Sequence, residues 1–138
     1  MGLPQAPEAR LYYRAAKLRF EEAVVLLEAG KSVGAVYLAG YTVECFLKAL
    51  LLDGTPPGLR KRLLTKFRGR RAHDIEWLRD LYRRSIGGTI PRDVALHLMR
   101  VATWDTDLRY ETALQAQGDA NKFVQSVIAL TKWAEGRM

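Results

Sequence analysis

The chain has 138 residues, of which 49% are hydrophobic, a formal net charge of +7 and a single cysteine, Cys45. This length and composition suit one domain with its own core, and we predict that this domain spans residues 1–138. One cysteine excludes an internal disulfide and a zinc site of four cysteines, and favours a reducing compartment. The first eight residues lack the basic and apolar regions of a secretory signal. We therefore predict a cytoplasmic protein.

Apolar residues recur at helical spacing along the chain, whereas the alternation typical of strands does not persist. The sequence therefore predicts an all-α fold. A first helix over residues 8–29 ends at Gly30. Its inward face is predicted to carry Tyr13, Ala16, Phe20, Ala23, Val24 and Leu27.

The second predicted helix, with Ser32 as its N-cap and Asp53 at its end, is apolar almost all round. It is long enough to raise the question of a membrane span. Glu44 and Lys48 interrupt it, however, and no second apolar segment accompanies it. We therefore predict a buried central helix and no membrane association.

Glycine and proline residues at positions 54–58 break the chain, and a short basic helix is predicted to follow at residues 59–67. Residues 69–72 are predicted to form a loop. Asp74 suits the N-cap of a third helix that Gly87 ends.

Pro91 suits the first turn of a fourth helix that runs to about Thr103, and a last helix is predicted over residues 119–134. Residues 104–117 show no clear pattern. The simplest packing is an antiparallel bundle of four long helices plus the short basic helix.

The positive charge is concentrated in one stretch that contains no acidic residue. It comprises Arg60, Lys61, Arg62, Lys66, Arg68, Arg70 and Arg71. Such a cluster favours polyanions, with RNA or nucleotide phosphates ahead of an anionic membrane, because no inserting apolar face flanks it. The alternative is a merely solvated surface that binds nothing.

Several polar residues form a candidate cluster: Glu44, Lys48, His73, Asp74, Arg109 and Tyr110. Glu44 and Lys48 share a helix face at a spacing of four residues, so in an apolar helix they need partners. A structural ion pair is one interpretation, and a pairing of Glu44 with Arg109 across the bundle is another. His73 is either a functional group or a histidine that merely adjoins the Asp74 cap.

Four segments in this order resemble the HEPN domain family. They are the end of the first helix at residues 26–30, the apolar stretch 39–51 that carries Glu44 and Lys48, the His73-Asp74 pair, and residues 104–110 with the Arg109-Tyr110 pair. The family commonly has a proline after the Arg-Tyr pair, where this chain has Glu111. The resemblance covers most of the chain and implies a four- to five-helix bundle.

The resemblance also implies a homodimer and, in many members, the toxin-like half of a toxin–antitoxin pair whose partner is a small nucleotidyltransferase. Active members are metal-independent ribonucleases that use an Arg, often followed by a polar residue, and then a His after four to six intervening residues. Arg92 and His97 fit this signature, with His97 as general base and acid and Arg92 on the scissile phosphate. Arg68 and His73 are the second choice.

A non-catalytic role stays open, because residues five apart on a regular helix lie about 140° apart. Members with the Arg-Tyr pair also usually lack the ribonuclease signature in this helix. The alternative function is therefore a helical dimer that serves as an interaction module for a nucleotidyltransferase partner. No metal and no cofactor are expected, because the two histidines lie 24 positions apart, neither has a second cluster of ligands around it, and the spacing matches no usual zinc site.

Overall fold

A computed structural model describes residues 3–112 and 116–138 of the chain. Within these ranges all the regular secondary structure is helical and there is no strand, which confirms the all-α prediction. The α-helices are α1 (Pro7–Glu28), α2 (Ser32–Asp53), α3 (Pro57–Lys66), α4 (Ile75–Ile86), α5 (Arg92–Val101) and α6 (Gln117–Gly136). Two short 3₁₀ helices, Arg70–His73 and Thr106–Tyr110, lie between them.

Helices α1 and α2 form a tight antiparallel hairpin. Gly30 makes the turn with φ +77°, a backbone conformation that favours glycine. At the open end, the backbone N–H of Ala6 donates to Asp53 Oδ1 at 3.1 Å, and midway along, Thr42 Oγ1 donates to the carbonyl of Ala16 at 3.3 Å. The predicted inward face of α1 is confirmed at Ala16 and Ala23, which are fully buried.

Helix α2 lies at the centre and contacts α1, α4 and α6. It is the one helix in the described ranges that is long and apolar enough to cross a membrane, yet 83% of its most apolar window is buried inside the protein. The prediction of a buried central helix is therefore confirmed. Close packing depends on Gly40, because a Cβ there would lie 2.1 Å from Nε1 of Trp104.

The predicted start and end of the third long helix, α4, are both confirmed. The carboxylate of Asp74 caps α4 by accepting the N–H groups of Glu76 and Trp77 at 2.9 and 3.3 Å. Gly87 ends the same helix in a left-handed conformation with φ +71°. Ser32, in contrast, does not cap α2, because its hydroxyl donates to Gln117 Oε1 at 2.8 Å.

Other predictions need correction. The proposed packing of four long helices plus one short helix leaves out one of the six segments predicted to be helical, and each of those six segments forms an α-helix in the described ranges. Residues 70–72 are not a loop but part of a 3₁₀ helix. This helix brings His73 into contact with Glu44 of α2. The fourth long segment stops at Val101, two residues before Thr103. Part of the unassigned stretch, residues 113–115, lies outside the described residues.

Candidate nucleic-acid interface and polar cluster

The buried charges of α2 are paired with each other and with His73. Lys48 Nζ lies 2.7 Å from Glu44 Oε2, and both side chains are almost completely buried. His73 Nδ1 lies 3.1 Å from the other oxygen, Glu44 Oε1. Each oxygen of the carboxylate therefore has a partner, as a charge removed from water requires.

Aromatic rings complete the surroundings of Lys48. Its ammonium lies 5.6 Å from the ring centre of Tyr12 and 5.5 Å from that of Phe67, which are distances at which a cation is attracted to a ring face. Burial is the main cause that raises the pKa of Tyr12, followed by the nearby Cys45 and Glu44. Lys48 is thus held between one carboxylate and two rings, which supports a structural role for the ion pair.

His73 links this buried pair to the surface. Its side chain is 47% exposed and lies on an open groove of about 650 Å³, together with Arg70, Arg71 and Trp104. Four acidic residues also line this groove, namely Asp74, Glu76, Asp105 and Asp107. Since Glu44 holds Nδ1, the free ring nitrogen of His73 is Nε2, an arrangement that can support proton transfer. We call this cavity the histidine groove.

The predicted contact between Arg109 and Glu44 is not present in the structure. The guanidinium of Arg109 lies 4.9 Å from the ring centre of Tyr110, and both residues are exposed. The hydrogen bond to Tyr110 is the main cause that raises the pKa of Arg109, with a smaller effect from Tyr37. The two oxygens of Glu44 are hydrogen-bonded to Lys48 and His73, not to Arg109.

The predicted basic cluster separates into one structural residue and a set of exposed cations. Arg60 Nε donates to the carbonyls of Leu52 and Thr55 at 3.1 and 2.9 Å, so Arg60 holds the C-terminal end of α2. The other cations are exposed, and their side chains form no hydrogen bond or ion pair with any described residue. These free cations are Lys61, Arg62, Lys66, Arg68, Arg70 and Arg71.

A second groove of about 590 Å³ opens beside the 3₁₀ helix and carries only positive charge. It is lined by Lys66, Gly69, Arg70, Arg71, Trp77, Leu81 and Arg84. We call this cavity the cationic groove. Trp77 and Arg84 were not predicted as site residues, although their spacing of seven residues places them on one face of α4. Arg70 and Arg71 line both grooves, so they form the ridge between them.

The predicted ribonuclease pair on α5 is not brought together by any contact. Arg92 is exposed and has no side-chain partner in the described ranges. His97 Nδ1 instead lies 3.0 Å from the hydroxyl of Ser126, and Arg100 donates to the same hydroxyl at 3.1 Å. Ser126 and Arg100 were missed by the sequence analysis, because the contact joins residues 26 and 29 positions apart on two helices.

Among the described residues, no group of three or more His, Cys, Asp and Glu side chains could hold a metal ion. Cys45 is a buried free thiol, and burial followed by the charge of Glu44 raises its pKa to about 12. Comparison with family models, with curated proteins and with solved structures gives no match. The function must therefore be inferred from the residues of the chain itself.

Proposed function

We propose that this chain is a cytoplasmic, HEPN-like helical-bundle protein that binds RNA or nucleotide phosphates through its exposed basic segment. The observation that carries this proposal is the set of free cations at positions 61–71. No described acidic side chain neutralises any of them, so their charges face solvent or a ligand. Positive charge that is concentrated in one segment and not paired with acidic side chains attracts polyanions such as nucleic acid.

Electrostatic binding of this kind has a measurable signature. If the segment neutralises about five phosphates of a single strand, counterion release lowers the affinity about 100-fold between 50 and 200 mM salt. The affinity of a mostly apolar protein interface changes little over the same range. The salt dependence therefore separates RNA binding from the alternative of a pure interaction module.

The test is fluorescence anisotropy of a labelled single-stranded RNA at 50 and 200 mM KCl. Neutralising Arg68 together with the two ridge arginines, in the triple variant Arg68→Gln/Arg70→Gln/Arg71→Gln, should weaken binding at least tenfold and flatten the salt dependence. The matched control neutralises three exposed cations elsewhere, Arg14, Lys122 and Lys132, with the same change in net charge. Equal effects of the two triple variants would contradict the proposal.

If the protein cleaves RNA, we propose that His73 and not His97 is the catalytic histidine. Glu44 orients the His73 ring from a buried position, and Arg70 and Arg71 stand beside it on the same groove. His73 would take the proton of a ribose 2′-hydroxyl and later donate one to the leaving oxygen, while an arginine stabilises the phosphate, so no metal is required.

Cleavage of RNA in the presence of a chelator tests this assignment. We expect His73→Ala to abolish cleavage and His97→Ala to leave it within about threefold of wild type. Loss of cleavage in His97→Ala alone would return the assignment to the Arg92 and His97 pair. Absence of cleavage in the wild type would leave RNA binding without catalysis.

A second candidate function, an interaction module for a partner protein, is favoured by a separate observation. Leu11, Leu18 and Val25 lie seven residues apart on α1 and are 69, 48 and 64% exposed. A stripe at this spacing is typical of a helix that packs against another helix. In this role the chain would form a homodimer or bind a nucleotidyltransferase antitoxin.

The oligomeric state tests the interface. We expect light scattering coupled to size-exclusion chromatography to give the mass of a dimer, and Leu18→Glu/Val25→Glu to give the 15.6 kDa monomer. The exposed pair Lys122→Gln/Lys132→Gln on α6 changes the net charge by the same amount away from the stripe, so it is the control and should leave the mass unchanged. A wild-type monomer that also fails to bind a nucleotidyltransferase would remove the interaction role of this stripe.

A further inference from the structure

We infer that the cationic groove is a binding site for single-stranded RNA, in which one unstacked base packs on Trp77 and the flanking phosphates contact Lys66, Arg84 and the ridge arginines. This inference rests on the proposed function and deepens it. The RNA-binding surface then includes Trp77 and Arg84 of α4 in addition to the basic segment, and the groove binds single-stranded RNA.

All the charged residues that line the cationic groove are positive, and their charged groups can contact a ligand. Lys66, Arg70 and Arg71 are exposed, and their side chains form no hydrogen bond or ion pair with a described residue. Arg84 uses only its Nε, which donates to the carbonyl of Asp80 at 3.3 Å, so its two terminal nitrogens are free. No carboxylate lines this groove, whereas four line the histidine groove. Phosphate groups are therefore attracted to the cationic groove more strongly than to its neighbour.

The aromatic wall distinguishes a nucleotide from a simple anion. Trp77 is partly buried, packs against the core on one side and lines the groove on the other. The backbone N–H of Trp77 donates to the Asp74 cap and its helix packs on α2, which fixes the point from which the indole extends towards the groove. An anchored ring beside several cations is the combination with which proteins bind bases and phosphates of single strands. A membrane surface or inorganic phosphate would use the cations without the indole.

The site requires an unpaired strand. A base within a duplex is already stacked on both faces and cannot reach an indole that lines a groove. The groove volume of about 590 Å³ lies in the range of small-ligand sites, which suits one nucleotide and not a double helix. Because Arg70 and Arg71 line both grooves, a strand that crosses this ridge passes from the cationic groove into the histidine groove, which contains His73.

The experiment compares three probes on the full chain at 50 mM KCl: a single-stranded RNA, the same RNA as a duplex, and inorganic polyphosphate. Arg84→Gln should weaken binding of the single strand about fivefold to tenfold, whereas the adjacent Arg83→Gln should change it less than twofold. Arg83 is exposed on the same helix but does not line the groove, so the pair is matched in charge and location.

Trp77→Leu keeps an apolar side chain against the core but removes the stacking surface. We expect it to weaken single-strand binding at least fivefold and to leave polyphosphate binding unchanged. Arg84→Gln should weaken binding of both single strand and polyphosphate. Because Arg84 is exposed, its variant keeps the test valid even if Trp77→Leu lowers stability.

The outcomes separate this inference from the proposed function. RNA binding that depends on salt and on the ridge arginines, but responds equally to Arg83→Gln and Arg84→Gln, would overturn the groove assignment and leave the proposed function intact. If Trp77→Leu weakened polyphosphate and RNA binding equally, this would overturn the proposal that a base stacks on Trp77. Equal or tighter binding of the duplex would overturn the single-strand assignment, and no RNA binding by the wild type would overturn both proposals.

Discussion

His73 Nδ1 and Glu44 Oε1 lie 3.1 Å apart, so a half-exposed imidazole is held by a carboxylate that is itself only 4% exposed. The same carboxylate binds Lys48 through its second oxygen. Glu44 therefore has two roles: it neutralises the buried ammonium of Lys48 and it orients the half-exposed ring of His73. The two roles can be separated, because one concerns stability and the other concerns the histidine groove.

Replacement of Glu44 should strongly destabilise the fold. Glu44→Gln keeps the shape of the side chain but leaves the ammonium of Lys48 buried without a counter-charge. Breaking a buried ion pair in this way costs about 3–5 kcal/mol. Urea unfolding followed by circular dichroism should show this loss as a lower midpoint with a similar slope.

The double variant Glu44→Gln/Lys48→Met serves as the control. It removes both charges, and replacement of a buried pair by neutral side chains of similar volume is often close to neutral for stability. We expect it to be more stable than Glu44→Gln alone, and His73→Gln to cost less than about 1 kcal/mol because that side chain is half exposed. A double variant less stable than Glu44→Gln would contradict the assigned pairing.

Gly40→Ala should disrupt the contact between α2 and Trp104. The added Cβ would lie 2.1 Å from Nε1 of the indole, which donates to the carbonyl of Tyr37 at 3.0 Å. A rigid ring cannot yield as a flexible side chain does, so we expect a loss of about 1–3 kcal/mol. Urea unfolding gives the free energy, and a shifted fluorescence spectrum would report displacement of Trp104.

Gly34→Ala provides the matched comparison on the same helix. Its Cβ would meet only the flexible end of Leu26, at 3.2 Å, while alanine gains about 1 kcal/mol of helix propensity over glycine. We expect this variant to lose less than 1 kcal/mol or to gain stability. Similar large losses at both positions would show that the effect is not specific to Trp104.

The sequence predicted the elements of the fold well because their signals are local. The apolar stretch of α2, the Asp74 cap and the Gly87 stop are each encoded within a few neighbouring residues. Ser32 was assigned wrongly as an N-cap, because the competing acceptor on Gln117 is 85 positions away. A local sequence pattern cannot show which distant polar group accepts the hydrogen bond from a serine hydroxyl.

The candidate sites were predictable only as residue types. The basic segment is visible in the sequence, but Arg60 looks like its neighbours until its contacts with the end of α2 are known. The joining of His73 to Glu44 spans 29 positions and depends on the 3₁₀ helix that the sequence analysis described as a loop. Trp77 and Arg84 become site residues only when α4 packs beside the basic segment.

Arg60 and Arg62 should differ in what their loss does. Arg60→Gln removes the contacts with the carbonyls of Leu52 and Thr55 and should lower stability by about 1–2 kcal/mol. Arg62 is exposed and makes no such contact, so Arg62→Gln should change stability by less than about 0.5 kcal/mol. Thermal unfolding of the two variants tests this division, and equal melting temperatures would contradict a structural role for Arg60.

Alkaline pH should destabilise the protein in part through Cys45. Burial raises the pKa of the folded thiol from 9.0 to about 12, so between these values the unfolded state releases a proton that the native state keeps. Stability contributed by the neutral thiol is therefore complete below pH 9 and is lost as the pH rises towards 12, at about 1 kcal/mol per pH unit. Urea midpoints at pH 8, 9.5 and 11 should fall more steeply for the wild type than for Cys45→Ala. The raised pKa values of Tyr13 and Tyr41 do not depend on Cys45 and act in both proteins, so parallel pH profiles would mean that the Cys45 thiol does not contribute.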